Sequence, residues 1–228
     1  AEFLRDRFDR YSNFARIGEG SLGGKGRGLA FIDNLVKRHS EFESFETATV
    51  TIPKTVVLCT DIFDEFMDTN NLYQVALSDV PDDVILRYFL RAKLPDRLVE
   101  DFFAFIDAVK SPIAIRSSSL LEDSHYQPFA GIYSTYMIPY VSDKYEMLRM
   151  LSDAIKGVYA SVYYKDSKAY MQATQNVIDQ EKMAQSGILN RRICSCQKNC
   201  GKFCLCRHRG RRGRASRSCQ RSRRFKPL

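Results

Sequence analysis

The feature that most limits what this chain can fold into is an abrupt change in charge near residue 184. The 44 residues beyond it contain no Asp or Glu, yet they hold fourteen of the 35 Lys and Arg and six of the seven Cys. The first 184 residues carry 21 basic against 27 acidic side chains, so the net charge of +8 divides into a body of −6 and a tail of +14. A segment so densely and uniformly charged buries too little apolar surface to offset its chain entropy. The fold is therefore assigned to residues 1–184, enough chain for a substantial core. Residues 185–228 are expected to form a disordered basic tail rich in Cys and Arg.

Several classes drop out early. No run approaches the 18 apolar residues that a membrane span needs. The start, Ala1-Glu-Phe-Leu-Arg5, lacks a signal-peptide layout. Its first residue is not Met, so the chain is expected to begin partway through a longer protein. The body's one cysteine, Cys59, sits in an apolar run. That suits a buried thiol in a reducing compartment, with the cytoplasm as the expected location.

Along the body, apolar positions from Phe3 to Ile17 are spaced to predict a helix over 2–17. Six glycines lie between Gly18 and Gly28, and a helix over about 26–38 is expected to bury Leu29, Ile32, Leu35 and Val36. Residues 48–58 read as strand interrupted at Pro53. Thr60 and Asp61 read as caps of a short helix ending near Met67, and Asp82 as the cap of another running to about 92. Pro95 suits the opening of a helix that buries Leu98, Phe102, Phe105 and Val109. Ile113–Ile115 reads as a short strand ending at Arg116, and 131–138 as a second. Ser142 is expected to open a long helix with Leu148, Leu151, Ile155, Val158 and Val162 on one face. Residues 166–183 are read as a further helix. The expected class is mixed, α+β, with helices between strands.

The glycine cluster opening a helix is a physical recipe for phosphate binding. Glycine lets backbone approach an anion, and a helix amino end offers unpaired amides and a favourable dipole. Lys25 adds a mobile positive charge. Gly18-x-Gly20-x-x-Gly23 matches the dinucleotide fingerprint, but no clear strand–turn–helix unit with its acidic residue accompanies it. The P-loop pattern fails at Glu19 and Gly26. A turn whose glycines serve only the backbone stays open as the alternative. Downstream, Arg116-Ser117-Ser118-Ser119 places an arginine at an expected strand end, where ligands of α/β sheets usually bind. A guanidinium suits phosphate oxygens and hydroxyls can supplement it. On these residues alone, a surface salt-bridge arginine followed by a serine loop is the favoured alternative. His125 and His39 read as surface residues.

Gly23-Gly24-Lys25-Gly26 with Leu29-Ala30, Ile52-Pro53 before an apolar run to Thr60, Ile113-Ala-Ile-Arg-Ser-Ser118 with Glu122-Asp123, and Phe129-Ala-Gly131 with Thr135 occur in this order. That ordered set resembles the nucleotide-binding region of the phosphoenolpyruvate synthase and pyruvate phosphate dikinase family over about residues 18–184. The resemblance implies the first part of an ATP-grasp fold. It also implies ATP-dependent phosphorylation of a histidine on a separate domain, which passes the phosphoryl group to pyruvate in a barrel domain. By position it implies that Lys25 contacts nucleotide phosphates, with Gly24 and Ser117 beside them. The resemblance further implies that Arg116 is the catalytic residue stabilising the transferring phosphoryl group, and that Gly131 and Thr135 fall in a loop that closes over the phosphates.

After Met183-Ala184 the family continues with an apolar strand carrying Gln or Glu, and later with acidic residues that hold magnesium. Here Gln185-Ser-Gly-Ile-Leu-Asn-Arg-Arg192 leads into the tail, so that strand is expected to be interrupted. No metal ligand is assigned in the body, and the magnesium ligands are expected in a missing part. The expected partners are ATP and, in the parent protein, the phosphohistidine domain and the pyruvate-binding barrel. The chain alone is expected to be an incomplete phosphotransferase. The tail has three readings: a zinc site built from Cys194 to His208, a non-specific nucleic-acid tail, or out-of-family sequence from a shifted frame or fusion. The abrupt loss of all acids favours the last. The rival function is a nucleic-acid-binding protein acting through the tail.

Overall fold

The computed structural model describes residues 1–6, 8, 13–39, 41, 50–119, 132–173 and 183–189. Glu122, Asp123, His125, Gly131 and the whole stretch beyond 189 lie outside the described residues, and so do the expectations made for them.

Among the described residues, five strands form one sheet: β1 (Phe14–Ile17), β2 (Thr55–Leu58), β3 (Ile113–Ser119), β4 (Thr135–Ile138) and β5 (Met183–Leu189), in the order β1-β2-β5-β3-β4. β1 and β2 are parallel, joined by the crossover helix α1 (Gly23–Arg38). The other pairings are antiparallel. The helices that follow are α2 (Thr60–Thr69), α3 (Tyr73–Leu77), α4 (Asp82–Arg91), α5 (Leu98–Ala108), α6 (Lys144–Ser161) and α7 (Lys165–Ala173). The class is mixed α and β, as expected.

Strand side chains alternate between the two faces of the sheet. On one face Ala15, Ile17, Val56, Leu58, Ile113, Ile115 and Met183 enter the main core with α2, α4, α5 and α6. An aromatic ladder ties α2, α4 and α6 together. Tyr159 lies 5.0 Å from Phe63 and 5.5 Å from Phe66, which stands 5.9 Å from Phe89 between ring centroids. On the other face Phe14, Val57 and Ala184 meet Leu22, Leu29 and Ala30 at the amino-terminal half of α1.

The amphipathic helices follow their sequence pattern. Leu98, Phe102, Phe105 and Val109 are buried, as are Leu151, Ile155, Val158 and Val162. Other elements differ. No helix spans 2–17: Phe14–Ile17 is a parallel strand, and the Phe3 amide bonds to the Arg16 carbonyl outside it at 2.8 Å. β2 supplies a neighbouring backbone that this short run of four residues can pair with, and this overrides local spacing. α1 starts at Gly23 rather than 26. Its Ile32 and Leu35 are exposed, because only its first turns touch the sheet. Arg116 is the fourth of seven residues in β3, not its end. Of the stretch read as helix over 166–183, the described residues are helical through Ala173, and Met183 already belongs to β5.

The strand expected to break after Ala184 is present. β5 continues through Leu189 in the middle of the sheet, five residues beyond the charge boundary. Its backbone satisfies the inner edges of both β2 and β3, whatever its side chains. Gln185 consequently lies in the main core, 1% exposed, with Nε2 donating to the Ile155 carbonyl at 2.7 Å. Its Oε1 has no hydrogen-bond partner among the described residues. A cavity of about 20 Å³, room for one water, opens beside it between Ile17, Leu58, Phe105 and Leu151.

Candidate functional site

β1 ends in a loop, Gly18 to Leu22, that turns the chain into α1. The amino end of α1 lies directly on β3. Gly23 has φ +65°, and a Cβ there would stand 1.6 Å from the Ser118 carbonyl oxygen, so only glycine permits the approach. The Ser118 hydroxyl locks the contact: it accepts from the Gly26 amide at 2.9 Å and donates to the Leu22 carbonyl at 2.8 Å. Gly24 is buried in the same turn.

Lys25 follows, half-buried, with Nζ 3.2 Å from the carbonyl of Ser117 and 3.4 Å from its Oγ. Ser117 is itself buried. Its neighbour Arg116 is exposed and sits on the same face of β3 as Ser118, the face α1 covers. In the sheet register Arg116 stands opposite Thr135 of β4. Thr135, read as strand from the alternation over 131–138 and as loop from the resemblance, is the first residue of β4, paired with β3. Lys25, Gly24, Arg116, Ser117 and Thr135 thus gather around β3 and the start of α1. Gly131 is outside the described residues.

The glycine loop is held from a direction the sequence did not suggest. Asp61 Oδ2 accepts from the Glu19 amide and Oδ1 from the Gly20 amide, each at 3.0 Å. Thr60 Oγ1 accepts from the Ser21 amide at 2.9 Å, and the Thr60 amide donates to the Ser21 carbonyl at 3.1 Å. Neither side chain caps its own helix, as had been expected of both. Asp82 behaves likewise, accepting from the Lys165 amide at the start of α7 at 2.9 Å. Short acidic and hydroxyl side chains in a first turn reach whichever unpaired amide is nearest, and here those belong to other segments.

This geometry also settles the dinucleotide fingerprint. The strand–turn–helix unit that seemed absent is formed by β1, the loop and α1. The acid just beyond β2, however, is engaged with loop amides rather than left open for a ribose. Between β2 and Asp61 lies Cys59, fully buried, whose thiol is pushed up to about 11 by burial and then by the nearby Asp61 charge. It is a core residue and a poor nucleophile at neutral pH.

Chemically, the cluster offers an ammonium, a guanidinium, hydroxyls and the amino end of a 16-residue helix with no acidic residue in its first turn. These are groups suited to a chain of phosphates. Among the described residues no three His, Cys, Asp or Glu side chains gather into a metal-binding group. No helix among them is long and apolar enough to cross a membrane. From sequence Ser118 was read only as one of the hydroxyls after Arg116, and Thr60 and Asp61 only as helix caps. The only signal for the last two was their position immediately after the buried β2 run.

Comparison with known proteins gives no match among curated proteins. Residues 19–189 match the family described as "Pyruvate phosphate dikinase, AMP/ATP-binding domain". The match begins in the glycine loop, ends on the last residue of β5 and takes in every residue of the cluster. This chain therefore belongs to the pyruvate phosphate dikinase family and carries its AMP/ATP-binding domain.

Proposed function

We propose that this chain is the ATP-binding portion of a phosphoenolpyruvate synthase or pyruvate phosphate dikinase-like phosphotransferase, phosphorylating a histidine on another domain en route to pyruvate. What supports this reading is that Lys25, at the glycine-lined start of α1, lies against Ser117 of β3, the residue next to the exposed Arg116. Phosphoryl transfer requires chiefly positioning and positive charge around the transferring oxygens.

In this reading Lys25 holds the nucleotide phosphates, with Gly24 and Ser117 beside it, and Arg116 stabilises the phosphoryl group in flight. Thr135, across the register from Arg116, closes that side together with Gly131. Magnesium, when bound, would neutralise phosphate charge, and its ligands are assigned to the remainder of the parent protein. The phosphohistidine domain and the pyruvate barrel are the proposed partners, and the cytoplasm, suited to a reduced Cys59, the proposed location. The folded domain is proposed to end with β5, and residues 190–228 to be out-of-family sequence.

Calorimetric titration of the purified 228-residue chain with ATP tests the site. Lys25→Ala and Arg116→Ala should each weaken affinity by about tenfold, the loss of one charge-assisted contact. Unchanged affinity in both variants refutes the assignment. The chain alone should form no phosphoenolpyruvate from ATP and pyruvate, and measurable product would overturn its proposed incompleteness.

A further inference from the structure

Two successive amides that converge on one anion form a nest, a common backbone device for holding phosphate. In this chain the amides of Glu19 and Gly20 make such a convergence, and its occupant is internal. The two carboxylate oxygens of Asp61 each take one amide at 3.0 Å. The seat is closely built. Gly18 has φ +95°, and a Cβ there would lie 2.5 Å from Asp61 Oδ1. A Cβ on Gly20 would lie 2.6 Å from Thr60 Oγ1 and 2.7 Å from the Asp61 amide. The adjoining pair of bonds between Thr60 and Ser21 fixes the next residue of the loop to the same turn of α2.

We propose that Asp61 is a positioning residue for nucleotide binding: its carboxylate fills the Glu19–Gly20 nest and thereby directs phosphate to the Gly24–Lys25 end of the site. This rests on the reading of Lys25 as a phosphate contact and extends it. The glycine loop is then a scaffold with its own built-in anion. Its glycines are required by the close approach of Thr60 and Asp61, and the nucleotide meets the amino end of α1 instead. Thr60 contributes by holding Ser21, whose hydroxyl in turn accepts from the Gly23 amide at 3.2 Å. One hydrogen-bonded path thus runs from the start of α2 to the start of α1.

The test is amide NMR of the full 228-residue chain, with ATP and inorganic phosphate as separate probes. In the unmodified chain ATP should shift the Gly24, Lys25 and Gly26 amides while Glu19 and Gly20 stay in place, and phosphate should leave both of the latter unmoved. In Asp61→Ala the emptied nest should let inorganic phosphate shift Glu19 and Gly20. Their hydrogen exchange should quicken, and ATP affinity should fall by about tenfold. Asp61→Asn, which keeps one acceptor oxygen, should recover part of that affinity, and it carries the same comparison should the alanine variant fail to fold. ATP shifting Glu19 and Gly20 in the unmodified chain as strongly as Gly24 would overturn the proposal, as would unchanged exchange of those two amides in both variants. If ATP moves no amide at all, the nucleotide reading itself fails. Exchange at Glu19 and Gly20 needs no nucleotide and would then still judge whether Asp61 holds the loop.

Discussion

One residue type substituted twice within α1 offers a sharp test of how the helix is seated. At Gly23 the backbone has φ +65°, and a Cβ would stand 1.6 Å from the Ser118 carbonyl oxygen and 2.4 Å from its carbon. At Gly28 a Cβ would meet nothing within 4 Å. For Gly23→Ala the left-handed conformation alone costs about 1–2 kcal/mol. The clash is with backbone, so no side-chain rotation relieves it. α1 must lift from β3, and that breaks the Ser118 hydroxyl's bonds to Gly26 and Leu22. Leaving those buried groups unpaired adds about 1–3 kcal/mol, for a total loss of roughly 2–5 kcal/mol. Gly28→Ala, in an exposed helical turn, should instead stabilise by about 0.4–1 kcal/mol through helix propensity and a less flexible unfolded chain. Urea unfolding followed by circular dichroism reads both, the midpoint falling for one and rising for the other. If the two variants agree within about 0.5 kcal/mol, the level reserved for uninvolved surface sites, the close seating of α1 on β3 is refuted.

Three further outcomes are expected. Ser118→Ala removes the hydroxyl that joins Leu22 to Gly26 and should cost about 1–3 kcal/mol in the same urea assay; a cost near zero would mean the hydroxyl does not fasten α1. Gln185→Met should raise the urea midpoint by an equivalent of about 1 kcal/mol, because it removes from the core a side-chain carbonyl with no partner among the described residues and fills the space beside it; a fall would show that the amide's bond to Ile155 matters more. Cys59 gives a pH dependence. Its thiol is pushed from 9.0 to about 11, so the unfolded chain loses the proton first, and stability present below pH 9 should decline as pH rises toward 11. Cys59→Ala should flatten that decline, and an identical pH profile in the variant would remove the cysteine as its cause.

How much of this was legible beforehand depends on what each residue has as its partner. Leu98, Phe102 and Phe105 recur at helical spacing, so α5 and its buried face could be read directly. β1 could not be. Four residues carry too little alternation, and the parallel neighbour that makes them a strand begins at Thr55. β5 was harder still, since Gln185-Ser-Gly opens the stretch expected to be a disordered tail and becomes strand because it pairs with the inner edges of both β2 and β3. In the site, Lys25 and Arg116 were legible because ordered motifs surround them. Asp61 was read as an ordinary helix cap, a role that short acids commonly fill. Its true partners, the Glu19 and Gly20 amides, are distant in sequence, and hydrogen bonds of that kind leave no local pattern.

The position of β5 also governs the order of assembly. β1 pairs with β2 and β3 with β4, but within the sheet, among the described residues, the two pairs are joined only through β5, which follows all four in sequence. During synthesis from the amino end, both pairs can form while two inner edges stand unpaired, and the sheet closes only when residues 183–189 emerge. Closure is a long-range event, and such events make folding slow. Until then two adjacent edges are open to strands of other chains. A nascent chain stalled before Met183 is thus predicted to be the aggregating species, and one extended past Leu189 the first able to reach the native sheet.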